Sequence, residues 1–276
     1  MNQGFRVFDA HAHLGVARHS GRVMTADRML EHMDAHGIDR SLVMPFPLVD
    51  DYRWTHNLIG DAVKAHPDRF AGAACLNPFI AEPEFRDEVQ RCAEVLGFRA
   101  LKFQPQYQPV NPLARSSSFL FETGLENKLA LICHTGAGAP FALPSLFILP
   151  ARQYPKLPIV LAHSGGSIYA LEALVAAKVC PNIWLELSSL MPHHMGDILA
   201  AIPAERLMIG SDLPESSATE IGKIIDLKIP KDSEESQTQY SLEHGSPPVR
   251  WQVIRARPEI AMMLVALSSL SFLFSA

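Results

Sequence analysis

The chain reads as an α/β protein, a (β/α)8 TIM barrel with an atypical C-terminal tail. Eight apolar, β-rich runs recur along it, segments with helical spacing lie between them, and the connectors are short. Several runs, such as LALICH and LPIVLAH, are continuously apolar, as parallel strands are when both faces are covered. An open doubly wound sheet is the alternative, but that fold usually shows a Gly-rich turn after its first strand. Here the first strand is followed by HAHLGVARHSG.

In chain order the strand signals are Phe5–Ala10, Arg40–Pro45, Phe70–Leu76, Phe98–Phe103, Ala130–His134, Ile159–His163, Ile183–Leu187 and Leu207–Ile209. The segment TADRMLEHMDAHGI has Thr25 as its N-cap and ends near Gly37. THNLIGDAVKAHP stops at Pro67 and EPEFRDEVQRCAEVLG at Gly97. GGSIYALEALVAAKVCP reads as an amphipathic helix ending at Pro181.

Bulk properties narrow the function. At 276 residues, 48% apolar and 19% charged, the chain suits a globular protein with a sizeable core. A net charge of −5 and the lack of a basic stripe give no reason to expect nucleic acid or an anionic membrane as a partner. Cys75, Cys92, Cys133 and Cys180 are scattered, which is neither a disulfide framework nor a cysteine zinc site; reduced thiols and a cytoplasmic setting follow. The polar N-terminus runs straight into a strand pattern, so no signal peptide is expected.

Active sites of such barrels lie at the C-terminal ends of the strands. The first strand ends with His11 and His13, the fourth carries Lys102, the fifth ends with His134, the sixth with His163 and the eighth with Asp212. Any one strand-end histidine is more often a hydrogen-bonded structural residue, and an Asp before Leu-Pro is commonly a turn residue. The signal is their conjunction, since closure brings all of them to one mouth. His11, His13, His134 and Asp212 would give a divalent ion three nitrogens and a carboxylate, with a position left for water. His163 would then serve as general acid or base, and Asp212 would also hydrogen-bond the nucleophilic water.

The stretches DAHAHLG, CHTG, LAHSGG and GSDLP resemble the strand-end motifs of the amidohydrolase superfamily. With GFRALKFQP, their order resembles its amidohydrolase-related (amidohydrolase 2) branch, over about residues 5 to 226. That branch includes metal-dependent hydrolases and decarboxylases of the aminocarboxymuconate-semialdehyde and resorcylate kind. The resemblance implies a barrel with a catalytic divalent metal, His11, His13, His134 and Asp212 in the ligand positions, and His163 in the catalytic position. Zinc is the metal expected first, with manganese or iron as alternatives. Lys102 is ambiguous: carboxylated, it would bridge two metals and make His163 a ligand; in a mononuclear site, the arrangement favoured here, it would pair with a substrate carboxylate. Asp9 is expected one layer deeper, orienting the site. Arg18, Trp54, Tyr107 and His193 are expected substrate contacts in the loops at the mouth. His19, His32, His36, His56, His66 and His244 read as surface or helix-end residues.

Residues 1–230 are expected to form the barrel and 231–276 a tail, first polar (KDSEESQTQYSLEHGSPPVR), then apolar. The last 16 residues carry no charge, but as a helix they would reach roughly 24 Å, short of a ~30 Å hydrocarbon core. A membrane span is therefore disfavoured. The tail does not resemble the family's closing helix, and a shifted reading frame, alternative exon or assembly error is the hypothesis for it; an exposed apolar tail leaves a homodimer open. The leading functional expectation is a metal-dependent hydrolase acting on a small organic acid, lactone or amide. A metal-dependent decarboxylase of an aromatic or unsaturated carboxylic acid is the alternative, and an inactive barrel-derived binding protein the third.

Overall fold

The computed structural model describes residues 7–18 and 20–227. The first residues of the expected first strand, His19, His244, the 230/231 boundary and the tail lie outside them. Eight parallel strands alternate with eight helices: β1 Phe8–Val16, α1 Ala26–His36, β2 Arg40–Pro45, α2 Tyr52–Ala65, β3 Phe70–Cys75, α3 Glu82–Glu94, β4 Ala100–Phe103, α4 Ser118–Glu126, β5 Ala130–His134, α5 Ile148–Gln153, β6 Ile159–Ala162, α6 Ala170–Val179, β7 Ile183–Glu186, α7 Pro192–Ala201, β8 Leu207–Met208 and α8 Ser217–Ile225. Neighbours pair in sequence order, with registers such as Ala100↔Ala130, Leu131↔Ile159 and Leu185↔Leu207. The ring closes where Ala10 N–H donates to the Ile209 carbonyl (2.9 Å), Ala12 pairs with Asp212, and Asp212 N–H donates to the His11 carbonyl (2.7 Å). This is the (β/α)8 barrel the alternation predicts.

Local chemistry explains the boundaries. Thr25 accepts from Arg28 N–H and caps α1, and Gly37 closes it with φ 68° in the left-handed region, which glycine enters without steric cost. Asp51 caps α2 through Trp54 N–H, so this helix starts three residues before the expected Thr55. β1 runs beyond Ala10 to Val16, its register shifting between Asp9 and Ala12, and residues 23–24 add a two-residue antiparallel strand to its end. His11 and His13 therefore sit within a strand. β6 stops one residue early because His163 turns to φ 65°.

α6 departs from the amphipathic reading. Its wall-facing side is Ala170, Ala173, Ala176 and Ala177, while Leu171 and Val175 are exposed. Alanines let the helix lie close to the strands, so the larger apolar side chains are the ones left outward. Among the described residues, no helix is long and apolar enough to cross a membrane.

Candidate metal centre

The ring brings His11, His13, Lys102, His134, His163 and Asp212 to one end, from β1, β4, β5, the turn after β6 and the loop after β8. All are buried except the partly exposed Asp212. Asp212 Oδ1 lies 3.4 Å from His13 Nε2, 3.5 Å from His11 Nε2 and 3.9 Å from His163 Nε2. The His134 and His163 ring centres are 4.9 Å apart, as are those of His11 and His163. Lys102 Nζ is 2.8 Å from His11 Nε2.

The partners of the four imidazoles determine which nitrogen carries the proton. His11 Nδ1 faces the Glu186 carboxylate (3.1 Å) and His13 Nδ1 the Pro45 carbonyl (2.9 Å); both partners only accept, so both Nδ1 atoms donate. His134 donates from Nε2 to the Ala137 carbonyl (2.8 Å). The Ser188 hydroxyl gives its one proton to Glu186 (2.9 Å), so it accepts from His163 Nδ1–H (2.7 Å). In their neutral forms this leaves a lone pair on His11 Nε2, His13 Nε2, His163 Nε2 and His134 Nδ1. His134 Nδ1 is buried with no protein partner, and the other three face a carboxylate oxygen, His11 Nε2 also accepting from the Lys102 amine at 2.8 Å. Acceptor against acceptor is repulsive unless a cation, a proton or a metal ion, lies between. His11, His13 and Asp212 offer ligand atoms within 4.8 Å of one another, a set that could hold a metal ion. Held imidazoles with their second nitrogen free are what a metal site requires.

Electrostatics agree with neutral rings at His11, His134 and His163. Burial drives His11 well below its ordinary value, His134 down to about 3 and His163 down to about 4. Burial would raise Asp212, but the close approach of His13, His11 and His163 outweighs it and holds the carboxyl well below the carboxylate range. Burial also lowers Lys102. Asp9, beneath the site, accepts from His11 N–H (3.1 Å) and from Ser211 N–H and Oγ (2.9 and 2.6 Å); burial still pushes it up to about 7.

The expected loop contacts are placed differently from the buried set. Arg18 is exposed and paired with Asp50 (3.0 Å), Trp54 lies exposed in the first turn of α2, and His193 is exposed beside His194 at the start of α7. Tyr107 is half-buried in the loop after β4. His56 is not a surface residue: it is fully buried on the inner side of α2, bonded to Glu88. Glu186, central to the site, was not singled out by sequence; it sits in the apolar run IWLEL, and a charged residue among strand apolars was the available signal.

A family model described as Amidohydrolase matches residues 8–239. No curated protein matches the chain significantly. Among similar solved structures is the 5-carboxyvanillate decarboxylase of Novosphingobium aromaticivorans, bound to manganese and a methoxy-hydroxy-nitrobenzoic acid. It is 16% identical with a TM-score of 0.66, covering 84% of this chain and 94% of that one. The 4-oxalomesaconate hydratase of Rhodopseudomonas palustris is 16% identical with a TM-score of 0.60, covering 96% and 99%. A probable 2-pyrone-4,6-dicarboxylic acid hydrolase of Acinetobacter baumannii, with citric acid bound, is 14% identical with a TM-score of 0.58, covering 83% and 94%.

Proposed function

The chain belongs to the amidohydrolase family, its amidohydrolase 2 branch, and on that premise we propose that it is a metal-dependent hydrolase acting on a small organic acid, lactone or amide. The observation that carries the reading is the convergence of three imidazole nitrogens, those of His11, His13 and His163, on Asp212, with the unpartnered His134 Nδ1 on the ring next to His163 and each ring held from behind by the protein. His11, His13, His134 and Asp212 would hold one divalent ion. Three nitrogens and one carboxylate suit zinc, with manganese or iron as alternatives. When bound, such an ion supplies Lewis acidity and acidifies water toward neutral pH.

The chain's own residues do the rest. His163, neutral near pH 7, offers the Nε2 lone pair as a proton acceptor, and Ser188 fixes the ring's orientation. Asp212, held ionised, orients the attacking water. Lys102, buried in the site with its Nζ 2.8 Å from His11 Nε2, pairs with a substrate carboxylate, whose charge would favour the ammonium form against burial; that role goes with a mononuclear arrangement. Burial of the site excludes bulk water and strengthens these interactions.

A decarboxylase is the second reading, supported by the likeness to the 5-carboxyvanillate decarboxylase. There Lys102 would hold a carboxylate and His163 or Asp212 would protonate carbon. One experiment tests both. The purified protein, grown with added Zn, Mn or Fe, is assayed for metal and turned over on a panel of lactones, amides and aromatic acids, with carbon dioxide release measured alongside hydrolysis. One equivalent of metal and hydrolysis support the proposal. Carbon dioxide release moves it to the second reading, and less than about a tenth of an equivalent of metal overturns both.

A further inference from the structure

Glu186, at the end of β7, is fully buried and its carboxylate meets only donors. Oε2 accepts from His11 Nδ1–H (3.1 Å), His163 N–H (3.0 Å) and Ser188 Oγ–H (2.9 Å), and Oε1 accepts from Ser188 N–H (2.6 Å). Only an ionised carboxylate satisfies four donors without presenting one of its own. Ser188 in turn accepts from His163 Nδ1–H (2.7 Å). One side chain therefore reaches two imidazoles, His11 directly and His163 through a hydroxyl. We infer that Glu186 is the positioning residue that holds both rings as Nδ1–H tautomers, so that both present Nε2 lone pairs to the site.

Three further features fit this role. His163 and Ser164 adopt left-handed backbone, φ 65° and 43°, costing about 1–2 kcal/mol per residue outside glycine. Glu186 holds that turn twice, its carboxylate taking His163 N–H and its carbonyl taking Ser164 Oγ–H (2.8 Å). At position 210 a Cβ would come within 2.7 Å of both Glu186 Oε1 and His11 Cβ, so only glycine leaves room for the pair. The buried negative charge also favours cations in the site above it.

The inference rests on the metal-dependent reading, and its test separates the two. An amide at position 186 has nearly the same shape but must place N–H atoms either against Ser188 N–H or against His11 Nδ1–H and His163 N–H together. The second placement flips His11 to Nε2–H and removes its ligand lone pair. Histidine side-chain nitrogens of the full chain, before metal addition, are read by NMR in wild type and Glu186→Gln, and metal affinity by competition with a chromogenic chelator. Wild type is expected to show Nδ1–H at His11 and His163. Either placement replaces the charged acceptor, so Glu186→Gln is expected to weaken the His11 Nδ1–H signature and to bind zinc about 10- to 100-fold more weakly. Unchanged tautomers with unchanged affinity overturn the inference. If wild type binds no metal, the metal reading fails while the tautomer comparison still decides the role of Glu186. If Glu186→Gln does not fold, Ser188→Ala tests the second arm: His163 should lose its Nδ1–H signature while His11 keeps its own, and no change at His163 overturns the inference.

Discussion

His11 and His56 are equally buried, and each donates from Nδ1 to a glutamate, His11 to Glu186 at 3.1 Å and His56 to Glu88 at 2.8 Å. Proximity does not separate them, because His56, Glu88 and Cys92 also lie close enough to suggest a metal group. What separates them is the rest of the accounting. His56 Nε2 already accepts from Cys75 N–H (3.1 Å), and Glu88 is neutralised by Arg91 at 2.7 and 2.9 Å and by Arg53 at 3.3 Å. That network between α2 and α3 is closed. At the mouth, Glu186 meets no guanidinium among the described residues, the second nitrogens of His13, His134 and His163 take no N–H or O–H donor, and that of His11 takes only the Lys102 amine at 2.8 Å. A buried histidine is structural when fixed backbone and ion-pair partners take both its nitrogens, as at His56; at the mouth three second nitrogens are untaken and the fourth meets only a lysine side chain.

The largest expected effect breaks the open network. His11→Ala or Asp212→Asn should reduce turnover to background and remove the metal while circular dichroism stays native; His56→Ala should leave kcat/KM per folded molecule unchanged. Full activity in His11→Ala would refute the site. Next, Glu88→Ala should cost about 1–3 kcal/mol of stability by leaving the buried His56 Nδ1–H without an acceptor, read as a lower urea midpoint, with metal content unaltered. Gly210→Ala should cost about 1–3 kcal/mol through overpacking against Glu186 and His11, and should weaken zinc binding as well. If it destabilises without touching affinity, the link from Gly210 to the open network is broken.

Acid should affect the two networks in turn. His163 and His134 sit at about 4 and about 3 in the folded protein, against 6.5 ordinarily. As pH falls below 6.5 the unfolded chain takes up protons that the fold refuses, so their contribution is present above 6.5 and fades down to about 3. Asp9, raised to about 7 from 3.8, acts in the opposite sense, its contribution fading as pH rises between those values. Burial would raise Glu88, but His56 and Arg91 hold it down to about 2 from 4.5, so that contribution fades only between 4.5 and 2. The metal-free Tm of Asp9→Asn should decline first below pH 6.5 and then again below 4.5. A flat profile down to pH 5 would refute the mouth's share. The smallest effect is expected at Arg18→Ala, which loses an exposed ion pair worth about 0–1 kcal/mol.

Much of this was legible in the residues because a barrel writes its site at fixed points. Strand ends can be read from apolar runs, so the sequence alone gathers His11, His13, His134, His163 and Asp212. Glu186 was harder to see, since it ends a strand like its apolar neighbours and its importance lies in partners from β1 and the turn after β6. His56 was misread because its spacing on α2 does not reveal that α3 presents a carboxylate to it. α6 was misread because apolar content says how much of a helix is greasy but not that alanines face a tightly curved wall. The loops named for substrate were chosen by position alone, and three of their four side chains stand in the open.

The last strand is two residues long, and the cylinder is stitched shut by a few contacts between residues 10–12 and 209–212. An ion shared by His11, His13 and Asp212 would lie across that seam, joining points near opposite ends of the described chain. In polymer terms it is a cross-link around a very long loop, whose closure restricts an unravelled chain for as long as the ion stays bound. Chelation should therefore be felt first as slackening along the seam, with faster amide exchange at Ala10 and Asp212 than at the β5–β6 junction, before any loss of the wall itself.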